Sequence, residues 1–242
     1  MLSTTRPPAS ARRWYEPPPV HAIRRRWQLA GLRHRSRRLV FIAGCARSGT
    51  SLLKQLMAVF ADTAVFPRER TVWHFLDMAD LPERTLVVKR TAECHRTLHR
   101  LPDDVSLIYC VRHPYDCLTS AHPQTVHLRP FHVTQDRWIA EYGALDRLRR
   151  RQPGRRICYV RYEDLVTQPD AIQNEIAAAC GLTADAPFMG NPLGIEIRSA
   201  SLEKWRDRPD LRRYLAGLDA SWREEIARFC QEFGYAAAPT LD

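Results

Sequence analysis

Residues 39–60 constrain this chain more than any other stretch. LVFIAG (39–44) is a continuous apolar run, the signature of a strand buried on both faces. From Thr50 onward Leu52, Leu53, Leu56, Met57 and Phe60 recur at helical spacing. Between them, Gly44-Cys45-Ala46-Arg47-Ser48-Gly49-Thr50-Ser51 has the outline G-x-x-x-x-G-x-S. The glycines let the backbone turn tightly, and the following helix offers unpaired N–H groups and a positive dipole end to an anion. A nucleotide-binding Walker loop carries Lys before its final Ser or Thr, where it reaches the β- and γ-phosphates. Here that position is Thr50, and the cation stands three residues earlier as Arg47. The loop is expected to hold a phosphate-like anion and to be poorly equipped for an ATP γ-phosphate with its magnesium.

Further apolar runs, TLVVK (85–89), VSLIYCV (105–111) and RICYV (156–160), repeat the strand signature. Helical patterns fill the gaps near 135–150 and 170–180. A last helix is expected from a capping box at Ser221 and Glu224, burying Trp222, Ile226, Phe229 and Phe233. The interval 183–210 is rich in turn residues and has no clear periodicity. Strands alternating with helices predict an α/β domain, a parallel sheet flanked by helices on both faces. At 242 residues the chain has room for one such domain.

The net charge of +10 divides unevenly. Residues 1–38 hold ten Arg against one acid, Glu16, so +9 of it lies there, together with five of the seventeen prolines. That composition reads as a basic, Pro/Arg-rich flexible arm ahead of a near-neutral domain at 39–242. A basic tail alone does not make a nucleic-acid-binding protein. No run approaches the roughly eighteen apolar residues of a membrane span, and the start has no apolar signal core. A cytoplasmic location is therefore expected. The seven Cys are scattered without a CxxC pair, which suits a reducing compartment better than a disulfide scaffold. The nine His lack partners at ligand spacing, so no metal is expected.

FIAGCARSGTSLL resembles the 5'-phosphosulfate loop of the sulfotransferases that use 3'-phosphoadenylyl sulfate (PAPS), which commonly reads PRSGT[ST]; here Ala46 replaces the usual Pro. A second, independent motif is LIYCVRHPYDCLTS, where Arg112 and Ser120 are similar to the family's 3'-phosphate pair of Arg and, eight residues on, Ser. His113 stands where many relatives have Asp. VRYEDLVTQP (160–169) and IRSASLEKW (197–205) resemble two further segments near the nucleotide. The resemblance covers about 39–235 and implies a P-loop NTPase-like sulfotransferase fold. It implies PAPS binding by Arg47, Ser48, Gly49, Thr50, Ser51, Arg112, Ser120, Tyr162, Ser199 and Lys204. Two of the chain's three Lys, Lys89 and Lys204, fall at family positions.

Sulfuryl transfer is an in-line displacement with charge spread over equatorial oxygens, much as in phosphoryl transfer. PAPS has no γ-phosphate, so cations and backbone N–H groups suffice and no metal is demanded. Arg47 and Lys89 are the expected catalytic cations. Glu69, about one helix and one short strand after the cradle, is where the tyrosylprotein-type branch has its basic Glu. It is the expected general base, with His95 and His74 as rivals. The partners expected are a small-molecule, glycan or peptidyl hydroxyl acceptor and the product PAP. The alternatives are a P-loop kinase or NTPase-like nucleotide binder, and a non-enzymatic basic nucleic-acid-binding protein.

Overall fold

Strand β1 (Arg38–Gly44) sends its side chains alternately into two separate cores. Leu39, Phe41 and Ala43 enter one; Val40 and Ile42 enter the other. An apolar residue at every position means both faces of the sheet are covered. The computed structural model describes residues 27–32, 36–91, 94–123 and 125–236.

Around β1 the sheet has the order β2-β3-β1-β4-β5, with β2 at Thr63–Arg70, β3 at Thr85–Arg90, β4 at Ser106–Val111 and β5 at Ile157–Arg161. Every pairing is parallel. Helices α1 (Thr50–Leu56), α4 (Tyr162–Thr167) and α5 (Pro169–Cys180) cover the Val40 face through Leu53, Leu56, Leu165, Ile172 and Ile176. Helices α3 (Gln135–Arg151), α6 (Pro209–Ala216) and α7 (Ala220–Glu232) cover the other through Trp138, Leu145, Leu211, Trp222 and Phe229. The short α2 (Pro114–Leu118) follows β4. The doubly covered parallel sheet is the architecture expected from the apolar runs.

Two details differ from expectation. The cap of α7 is Asp219, not Ser221: its carboxylate accepts from the Ser221 backbone N–H at 2.8 Å and from the Ser221 hydroxyl. An ionised Asp is a stronger acceptor for the orphan donors of a first turn than a hydroxyl is. Strand β2 has no continuous apolar run: none of its residues is fully buried, and Pro67, Arg68 and Glu69 are exposed. Of the stretch expected as an arm, residues 1–26 and 33–35 lie outside the described residues. Residues 27–32 are helical, and Leu29 and Leu32 are buried in the core around Phe41.

One cleft, of about 1030 Å³, lies at the N-terminal ends of β4 and β5, lined by residues such as Asp103, Arg155 and Cys180. The strand ends that matter here are the opposite ones, since in open parallel sheets ligands bind outside the carboxyl ends.

Candidate active site

At the carboxyl end of β1 the chain turns at Gly44, whose φ of 142° leaves no room for a side chain against the Cys110 carbonyl and Ser48 Oγ. Arg47 then adopts φ 69° and Gly49 φ 91°. A left-handed non-glycine residue stores strain that persists only where the surroundings impose it. Ser48 is buried and closes the turn, its N–H and hydroxyl both donating to the Cys45 carbonyl at 3.2 and 2.7 Å. Gly49 leads into α1, and no side chain caps that helix. Its first N–H groups are the donors that an anion satisfies at a helix start.

Lys89 is the last-but-one residue of β3 and only 5% of its side chain is exposed. Its ammonium donates to Ser51 Oγ at 2.7 Å and forms a short ion pair with Glu69 Oε1. The cradle, the lysine and the carboxylate are thus joined through one cation. Glu69 reaches this place because β2 loses register between Val65, which faces Val87, and Glu69, which faces Lys89. Burial pushes the Glu69 carboxyl up, but the Lys89 hydrogen bond and the charges of Lys89, Arg90 and Lys54 outweigh it and hold it below its ordinary value. Burial pulls Lys89 below its own ordinary value despite Glu69.

A second cluster sits at the end of β4. Arg112 is buried; it donates to the Arg47 carbonyl at 3.1 Å and to the Ser201 carbonyl at 2.7 Å, and lies 3.8 Å from Asp116. The Tyr162 ring packs under the guanidinium, 4.2 Å from its carbon, and the Tyr162 hydroxyl meets Ser201 Oγ at 2.8 Å. Burial first, then the charge of Arg112, lowers Arg47 from its ordinary value, and the same two causes lower Lys204. The Arg112 charge thus depresses two neighbouring cations, a strain that an incoming anion would relieve. Asp116, fully buried, is pushed up to about 6 by burial although Arg112 opposes the shift.

Of the residues expected to bind, Arg47, Ser48, Gly49, Thr50, Ser51, Arg112, Tyr162 and Lys204 surround the cradle. Ser120 is joined to Arg112 indirectly, its hydroxyl donating to the Asp116 carbonyl at 2.6 Å. Ser199 is exposed, and its carbonyl accepts from Leu202 at 2.9 Å. The serine that touches Arg112 and Tyr162 is Ser201, two residues further on. Only backbone geometry selects it, and nothing in the local motif distinguishes it. His113 does not act as an acid: its Nδ1 accepts from the Tyr115 N–H at 3.2 Å, and burial holds it down at about 4.

The rival bases stand apart. His95 lines a small cavity behind the cradle with Arg90, Cys94 and Tyr109. His74 Nδ1 is within 3.1 Å of Thr71 Oγ1. Among the described residues no group of three or more His, Cys, Asp and Glu is placed to hold a metal ion, and no helix is long and apolar enough to cross a membrane.

A model described as the sulfotransferase family matches residues 89–186. The fold resembles the sulfotransferase domain of the Synechococcus PCC 7002 olefin synthase, with TM-score 0.60, 19% identity, and 83% of this chain and 95% of that one covered. It also resembles the sulfotransferase domain of the curacin biosynthetic pathway, with TM-score 0.59, 16% identity and coverage of 84% and 99%. A mouse sulfotransferase complexed with PAP matches with TM-score 0.52, 13% identity and coverage of 79% and 85%. No curated protein sequence matches the chain. The sulfotransferase-family match runs from Lys89 through Arg112, Ser120 and Tyr162, and the parallel sheet that carries them has the fold of these sulfotransferase structures.

Proposed function

We propose that the chain transfers a sulfuryl group from PAPS to an acceptor hydroxyl and releases PAP. The observation that carries this is Lys89, held between Ser51 of the cradle and the Glu69 carboxylate. One cation beside both an anion cradle and a base is what an in-line displacement needs. In the step, the bond from sulfur to the 5'-phosphate oxygen breaks as the acceptor oxygen bonds to sulfur. The acceptor proton passes to Glu69, and Lys89 and Arg47 stabilise the charge on the bridging and equatorial oxygens. Arg112, with Lys204 nearby, takes the 3'-phosphate. The residues present fit such a donor: an uncapped helix start serves one anionic group and the Arg47–Arg112–Lys204 cluster the other.

Ionised Glu69 stands ready to accept a proton at neutral pH, though its lowered affinity makes it a weaker base than an unpaired carboxylate. Lys89 offsets this if it leaves Glu69 for the developing charge. The basic stretch 1–26 plays no part in donor binding on this reading. The test is thermal: PAP and PAPS raise the melting temperature without magnesium, because a ligand that binds only the native state stabilises it. Stabilisation by ATP with magnesium and none by PAP would instead identify a kinase-like nucleotide binder. Labelled PAPS against pooled glycan, peptide and small-molecule hydroxyls then finds the acceptor.

A further inference from the structure

The cradle departs from the resembled family at one position, where Ala46 stands in place of Pro. Proline has no N–H and its ring fixes φ. Alanine brings a backbone donor into a place where the residue is 8% exposed, and a buried donor needs a partner. That partner is Glu141, 95 residues away in the middle of α3, whose Oε2 accepts the Ala46 N–H at 3.1 Å. Glu141 is itself 3% exposed. Its Oε2 also meets Arg90 Nη2 at 2.9 Å, and its Oε1 accepts from Arg137 Nε at 2.9 Å. The Tyr109 hydroxyl donates to the Glu141 carbonyl at 3.1 Å and pins the helix to β4.

We infer that Glu141 is a positioning residue for donor binding, replacing the stiffness of a proline with a charge-assisted hydrogen bond to the cradle backbone. This rests on the reading of the cradle as the donor site. Each neighbour extends the consequence. Arg90 follows Lys89 directly on β3, so the carboxylate that holds the cradle also holds the strand end bearing that lysine. Arg137 Nη1 lies 3.2 Å from His132 Nε2, which ties the same carboxylate to the loop before α3. Cradle, lysine and loop are referred to a single side chain. Donors converge on both carboxylate oxygens, so an amide in its place sets an NH2 group against donors on one side or the other.

The experiment is a double-mutant cycle read by PAP calorimetry and by melting temperature without ligand, using Glu141→Gln, Ala46→Pro and the pair together. Glu141→Gln is expected to raise the PAP dissociation constant about tenfold, the scale of one charge-assisted hydrogen bond. Ala46→Pro, which removes the donor that needs Glu141, sets the reference affinity and melting temperature against which the pair is read. In the pair the loss in affinity shrinks below about threefold, while the melting temperature stays lowered because Arg90 and Arg137 still lack their counter-charge. A merely structural Glu141 gives a different pattern, in which affinity and melting temperature fall together and neither recovers. PAP affinity unchanged in Glu141→Gln, or an equal loss with and without Ala46→Pro, overturns the proposal. Should Ala46→Pro not fold, a tenfold loss of PAP affinity in Glu141→Gln, measured well below its melting temperature where the variant is fully folded, supports the proposal, and an unchanged affinity overturns it. Failure of the natural chain to bind PAP is a separate outcome, one that sinks the donor assignment itself.

Discussion

The ring of Tyr162 lies directly on the backbone of Gly49. A Cβ built on Gly49 would overlap Cδ2 of that ring and come within 3.2 Å of Cε2. The same ring carries the Arg112 guanidinium, 4.2 Å from its centre. Glycine, tyrosine and arginine meet where the start of α1, the start of α4 and the segment after β4 come together.

Gly49→Ala is therefore expected to fail twice, by the steric overlap and by the φ of 91° that an L side chain resists. The cost is about 1–3 kcal/mol of stability, with PAP binding lost because the cradle and Arg112 move apart. Thermal melts and PAP titrations check this. A variant that melts and binds like the natural chain means Tyr162 does not hold this position in solution.

Arg112→Ala is expected to weaken PAP by about 2–5 kcal/mol, as when one partner of a buried charge pair is removed. Adenosine 5'-phosphosulfate, lacking the 3'-phosphate, should lose far less. Some loss for both ligands follows from the bond between Arg112 and the Arg47 carbonyl. Equal losses would show that Arg112 supports the cradle without reading the 3'-phosphate.

Glu69→Gln is expected to cut turnover about 10²- to 10⁴-fold and leave PAP affinity near that of the natural chain, whereas His95→Ala has a small effect. Normal turnover in the first and none in the second would transfer the role to His95.

The pH profile tests the same carboxylate independently. Because Lys89 outweighs burial, Glu69 stays ionised below the ordinary carboxylate range, and turnover should persist as pH falls until it passes through that lowered value. The pair's contribution to stability has the same sign, present above the unfolded-state value and lost on acidification. Lys89→Met removes the pull and leaves burial, so the acid limb should move to higher pH on a much lower rate. An acid limb that stays in place would mean that another group titrates.

Asp116 works in the opposite direction. Its folded value of about 6 lies above the unfolded one, so the native state holds a proton that the unfolded chain releases. Stability without ligand should fall as pH rises between about 4 and about 6, and Asp116→Asn should flatten that slope. Urea midpoints across this range measure it. An unchanged slope in the variant would exclude Asp116 as its source.

What the sequence made legible follows from where burial is continuous. Strands β1, β3, β4 and β5 are apolar runs because both of their faces are covered, and runs of that kind show in one dimension. Strand β2 has no fully buried residue and exposes Pro67, Arg68 and Glu69, so Phe66-Pro67-Arg68-Glu69 carries little periodic signal. The cradle was legible because glycine spacing is a backbone requirement. Ser201 and Glu141 were not, since each reaches the site from a distant segment: Ser201 is 89 residues from Arg112, and Glu141 is 95 from Ala46. The cap of α7 was misplaced by two residues because Asp219 and Ser221 both suit that role, and only the turn geometry chooses between them.

The register shift in β2 has a consequence for how such a site is altered. Between Val65 and Glu69 three residues intervene, where β3 has only Val88 between the partners Val87 and Lys89. Continued in step, β2 would set Pro67 opposite Lys89 and carry the carboxylate past it. The meeting of acid and cation is thus encoded by a residue count rather than by a residue type. Deleting two residues here would remove the irregularity and, with the strands in step, set the same carboxylate opposite Lys89 again, whereas gaining or losing a single residue would turn it to the other face of the strand. In such a lineage insertions and deletions at this edge, more than point substitutions, would switch the chemistry on and off.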